Sequence, residues 1–151
     1  MEEIDRRIVT LLAADGRMSF TDLAKETGLS VSAVHQRVRR LEKRGVIRGY
    51  AALIDHNAIG LPLTAFVSIK PIDPSAADDA PERLQDLSAV EACHSVAGDE
   101  SYILKVRVES PLALEHLLQR IRAAANVSTR TTIVLSTPFE HRTPELGTGP
   151  A

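Results

Sequence analysis

The sequence has a single cysteine, Cys93, in 151 residues. That excludes an intramolecular disulfide and any multi-cysteine zinc site, so neither staple supports the fold. A lone thiol is expected to be buried and inert. No apolar run approaches the roughly 20 residues needed to cross a bilayer, and Met1 leads into Glu2, Glu3 and Asp5 rather than a signal peptide. A cytoplasmic protein is expected. Also missing are a Gly-rich phosphate loop, a His/Cys/Asp cluster at ligand spacing and a nucleophile motif, so there is no catalytic residue and no cofactor to assign. His94 and His116 are read as surface or hydrogen-bonded side chains, not metal ligands.

What is present is 44% hydrophobic and 25% charged residues, enough for one ordinary core, or for two small ones if subunits add buried surface. The net charge of −2 taken alone argues against a nucleic-acid partner, but the charge is unevenly placed. Residues 30–50 hold six cations, Arg37, Arg39, Arg40, Lys43, Arg44 and Arg48, against Glu42, a balance of +5. Residues 56–151 hold 8 Lys/Arg against 12 Asp/Glu, a balance of −4, and a phosphate backbone would repel that half. The two halves do different jobs.

From Glu3 to Ala14 the apolar residues Ile4, Ile8, Val9, Leu11 and Leu12 recur at helical spacing, and Asp15-Gly16 supplies a stop. Ser19-Phe20-Thr21-Asp22 is a capping-box variant that starts a second helix over about 20–27. Gly28 turns the chain, Ser30 caps a third helix whose inward stripe is Val31, Val34, Val38 and Leu41, and Gly45 ends it. Helix, short turn with Gly, helix is the helix-turn-helix pattern. The β-forming stretch 46–55 suggests a two-stranded wing or an exiting strand. Residues 1–50 are thus expected to form a winged helix-turn-helix, 51–61 a linker and hinge, 62–140 a second domain and 141–151 a flexible tail.

In that second domain the periodicity predicts a strand over 63–71, a helix over 76–87, a strand over 90–97, a hairpin turn at Gly98-Asp99-Glu100, a strand over 102–108, a helix over 111–125 capped by Ser110, and a strand over 129–138. The order βαββαβ makes an α+β, ferredoxin-like sandwich. Ile103, Lys105 and Arg107 alternate with Leu104, Val106 and Val108, so one sheet face is apolar and the other mixed. An uncovered face and edge call for a partner, and a homodimer is expected.

On the proposed recognition helix, Ser32, Ala33, His35, Gln36, Arg37, Arg39 and Arg40 are expected to face outward. Gln can bridge adenine and Arg guanine in the major groove of double-stranded DNA, while cations farther along, with Arg48, neutralise phosphates. Ser30 at the helix start and Arg17 and Ser19 beside the second helix are candidate backbone contacts, with capping as their simpler role.

The string Asp5-x-x-Ile8-x-x-Leu11-Leu12, Asp15-Gly16-Arg17, Leu23-Ala24, Gly28-Leu29-Ser30-x-Ser32-x-Val34-x-x-Arg37-Val38-x-x-Leu41-x-x-x-Gly45-Val46-Ile47-x-Gly49-Tyr50 resembles the leucine-responsive/asparagine-responsive (Lrp/AsnC) family of feast-or-famine regulators, as does Val96-x-Gly98-Asp99-x-x-Tyr102. The resemblance runs from Ile4 to about Phe139. It implies a transcription factor on an imperfectly palindromic operator, with dimers that build a larger ring, an octamer of four, and an amino-acid effector where dimers meet. Gly98, Asp99, Glu100 and Ser101 become candidate effector contacts, against a plain hairpin turn as the alternative. Ala97 stands where the family often has Thr, and Ser101 where it often has Asp. A sequence-tolerant architectural protein that wraps DNA as an oligomer is the other reading; salt dependence and the specific-to-nonspecific affinity ratio separate the two.

Overall fold

A computed structural model describes residues 1–143. It divides into two compact units, Met1–Leu53 together with the chain from Phe139, and Ile54–Pro138.

The first unit is helical. α1 (Glu3–Ala14), α2 (Phe20–Thr27) and α3 (Val31–Lys43) surround a core of Ile8, Leu12, Leu23, Ala24, Val34, Val38 and Leu41. The caps are those the sequence announces. The Ser19 hydroxyl accepts from the Asp22 N–H at 3.0 Å and donates to its carboxylate at 2.6 Å, and Ser30 accepts from the Ala33 N–H at 3.2 Å. Gly28 turns between α2 and α3 at φ 70°, a left-handed conformation that a side chain would strain.

No strand forms over residues 46–55, against the expected wing. The amides that would begin it are already used, because the Val46 and Ile47 N–H groups both point at the Leu41 carbonyl, at 3.0 and 3.3 Å, closing α3 beyond Gly45. Residues 51–55 then run on without a ladder neighbour in their own chain. β-Propensity alone does not make a strand.

The second unit has the order β1 (Leu63–Pro71), α4 (Ala80–Leu84), β2 (Val90–Ser95), β3 (Tyr102–Val108), α5 (Pro111–Ala125), β4 (Val127–Ile133). This is the expected βαββαβ, an α+β sandwich whose sheet runs β2-β3-β1-β4 with antiparallel neighbours. Register pairs Ala65 with Val106, Val67 with Leu104 and Ile69 with Tyr102, all on the face that the helices cover. Leu84, Leu114, Leu117 and Ile121 complete that core, where burying each aliphatic side chain is worth about 1.5–3 kcal/mol.

Three elements are shorter than expected. α4 starts at Ala80, not 76, because Pro81 has no N–H to return to residue 77, and because Asp73 gathers the Ser75 amide and hydroxyl into a local turn at 2.9 and 2.7 Å. β4 ends at Ile133 because its partner β1 begins at Leu63; the Val134 N–H makes a last bond to the Thr64 carbonyl and residues 135–138 have no strand beside them. β2 stops at Ser95. Cys93 is exposed on this edge strand, not buried as expected, since an edge has a neighbour on one side only. Of the expected tail, 144–151 lie outside the described residues, while the Arg142 guanidinium stacks 3.7 Å over the Phe139 ring.

Candidate functional site

A helix turns roughly 100° per residue, so the direction opposite Val34, Val38 and Leu41 is occupied by Ser32, Gln36, Arg39 and Lys43, each within roughly 50° of it. All four are exposed, and among the described residues none of their side chains makes a hydrogen bond or ion pair. This is an unspent polar strip carrying a hydroxyl, an amide and two cations. Lys43 belongs with it, one of the cations farther along the helix that were expected on phosphates.

Arg37 does not face outward. It lies only about 70° from the inward direction by the same geometry, and its guanidinium turns towards α1. Nη1 donates to Asp5 Oδ1 at 2.7 Å and to Glu2 Oε2 at 2.9 Å. Arg40, at the margin of the strip, donates from Nη2 to both Asp5 oxygens at 3.0 and 3.3 Å and stands 3.7 Å from Glu2 Oε1. Asp5 is 1% exposed and is the one buried charged group among the described residues. Burial alone would raise its pKa, but hydrogen bonds from Arg37 and Arg40, with their charges, hold it below the ordinary aspartate value. The sequence did contain the signal: Asp5 shares the stripe of Ile8 and Leu12, and a carboxylate there needs a cation opposite.

The other expected contacts divide by role. Ser19 and Ser30 cap helices, and Ala33 is half-buried beside Ser30. His35 packs edge-to-face on Phe20 of α2, with ring centroids 5.1 Å apart at 85°, so it braces α3 against α2. Arg17 and Arg48 are exposed, and among the described residues their side chains make no hydrogen bond or ion pair.

In the second unit, residues 96–101 form a six-residue connection closed by the Val96 N–H on the Ser101 carbonyl at 3.1 Å. Neither Gly98 nor Asp99 has positive φ, so the primed two-residue hairpin is absent. A Cβ at Gly98 would meet nothing within 4 Å. The Ser101 N–H is taken by the Ile69 carbonyl at 3.0 Å, and the Glu100 carboxylate by Arg130 of β4. Glu100 and the Ser101 amide are thus already engaged within the chain, which corrects their expected availability. Asp99 remains exposed on a cleft of about 240 Å³ that also takes in Ser68, Lys70, Ser128 and Thr129. Lys70 was not foreseen; it reaches the cleft because β1 and β4 pair Lys70 with Ser128.

Residues 1–48 match the model of a winged helix-turn-helix DNA-binding domain, and residues 64–144 that of the Lrp/AsnC ligand binding domain. The chain is 58% identical over 142 residues to the HTH-type transcriptional regulator LrpA of Mycobacterium tuberculosis, covering 94% of this chain and 95% of that one. It is 37% identical over 139 residues to the leucine-responsive regulatory protein of Escherichia coli, covering 89% and 85%. A solved feast or famine regulatory protein from M. tuberculosis, complexed with L-methionine, superimposes with a TM-score of 0.92 at 58% identity, covering 95% of this chain and 99% of that one. These relatives are named as regulators and not as enzymes. With a DNA-binding domain followed by the family's ligand-binding domain across nearly its whole length, the chain belongs to the Lrp/AsnC family of transcriptional regulators.

Proposed function

We propose that the protein is a sequence-specific cytoplasmic regulator that reads double-stranded DNA with Ser32, Gln36, Arg39 and Lys43 and whose DNA binding and assembly respond to an amino acid. The observation that carries the DNA reading is that this strip is polar, exposed and unspent, on the helix that follows a capped turn. Arg17, Arg44 and Arg48 serve the phosphates.

The effector reading rests on the cleft at residues 96–101. An amino acid presents an ammonium and a carboxylate on one carbon; Asp99 complements the first and Lys70 the second, and both line the same cleft. The solved relative holding L-methionine supports this ligand class. In a panel of the twenty amino acids screened by calorimetry, at least one is expected to bind and to change DNA affinity. Asp99→Asn should weaken that ligand about tenfold or more, the loss of a charge-assisted bond. A Cβ at Gly98 meets nothing within 4 Å, so a loss of ligand caused by Gly98→Val is expected to come from crowding of the ligand or of a second subunit. If no amino acid binds, or both variants bind like wild type, the effector reading fails and the DNA reading stands.

The face of the sheet that carries Phe66, Ile103 and Lys105 is left uncovered by the helices, and residues 51–55 pair with no strand of the described chain. Both fit a second copy of the chain, and dimers would go on to an octamer of four. A fragment of residues 54–138, which has its own core, should sediment as a dimer or larger at micromolar concentration. A monomer there would reject assembly through this unit.

A further inference from the structure

The ion cluster joining α1 to α3 contains two carboxylates of different standing. Asp5 is 1% exposed, and removing it would strand two guanidiniums. Glu2 is 60% exposed, lies at the start of the chain and touches the same two arginines from outside, at 2.9 and 3.7 Å. Glu2 also occupies the N-cap position of α1; its side chain makes no bond to the helix's own first amides and reaches across to α3 instead. With Glu2 in place the cluster is neutral, two carboxylates against two guanidiniums. Without it, the cluster carries one positive charge at the margin of the strip, where Arg40 is 45% exposed.

From this geometry we propose that Glu2 is an internal stand-in for a DNA phosphate: it occupies Arg37 and Arg40 in the free protein and is displaced when Arg40 meets the backbone, while Asp5 holds both guanidiniums in position throughout. The proposal rests on the reading that α3 faces DNA. Displacement is cheap because exposed ion pairs are worth little and a carboxylate is exchanged for a phosphate oxygen of like charge. Glu2 thereby sets how strongly the domain holds any DNA, without reading sequence itself.

The test measures affinity of the full-length protein for a selected site and for random DNA, across a salt series. Glu2→Gln is expected to tighten both about two- to fivefold at low salt, the worth of one exposed ion pair, with the gain shrinking as salt screens the pair in wild type. Glu3→Gln is the control, since Glu3 carries the same charge on the same helix end and makes no ion pair with α3. In an Arg40→Ala background the Glu2→Gln gain should disappear, because the two residues act through one contact. A gain equal to that of Glu3→Gln, or one that persists in the Arg40→Ala background, would overturn the proposal and leave the DNA reading standing. Wild-type protein that binds no DNA even at low salt would overturn both.

Discussion

Asp5→Asn is expected to destabilise the first unit by about 3 kcal/mol, the lower end of the range for breaking a buried ion pair, because Arg37 and Arg40 keep partial access to water. Asparagine keeps the volume but loses the charge and presents N–H donors to two guanidiniums that have none to accept with. Amide hydrogen exchange would locate the effect: protection should fall across α1–α3 and be unchanged in the strands of the second unit. The carboxyl's pKa is lowered in the folded state, so its stabilisation is fully present above the unfolded value of about 4 and is lost as pH falls through the lower native value. Wild type should therefore lose first-unit protection on acidification below about pH 4, and Asp5→Asn should lack that component. Equal protection in variant and wild type would mean that the cluster does not hold α3 to α1. Arg37→Ala should likewise act on stability more than on base preference.

The second large effect is expected from Gln36→Ala combined with Arg39→Ala. Each is placed to reach base edges, where a good bidentate contact is worth roughly 1–3 kcal/mol, so the pair should cost a selected operator about a hundredfold or more in affinity. Random DNA should lose far less, because its binding is carried by phosphate contacts from Arg17, Arg44 and Arg48. Quantitative gel shifts on both DNAs decide it. A loss equal on the two would mean that the strip touches only backbone, and a sequence-tolerant protein that wraps DNA would be the better description.

Both variants follow from positions that the sequence marked unequally. The helices were legible because caps and stripes are local: Ser19, Gly28, Ser30 and Gly45 interact within four residues of themselves, and helical spacing puts Val34, Val38 and Leu41 on one side whatever lies beyond. The order βαββαβ and the face on which Leu104 and Val106 lie were legible for the same reason, since alternation needs only the neighbouring residues. Lengths were less so. α4 shrank because Pro81 acts on the residue four before it, β4 ended where its antiparallel partner β1 begins, and residues 46–55 formed no strand once the Val46 and Ile47 amides had gone to Leu41.

The roles of charged residues were decided last and elsewhere. Sequence determined that residues 30–50 are cationic and that a polar face lies opposite the valines. It could not determine that Arg37 and Arg40 are spent on Asp5, thirty-two and thirty-five positions away, or that Glu100 is spent on Arg130, thirty positions away. A guanidinium on a flexible stem goes to whichever carboxylate the fold brings near it, and Coulomb attraction depends on distance in space, not along the chain. Only the packing of α1 on α3, and of β4 beside β1, made those choices, leaving Gln36, Arg39, Lys43 and Asp99 among the polar side chains that hold no partner in the described residues.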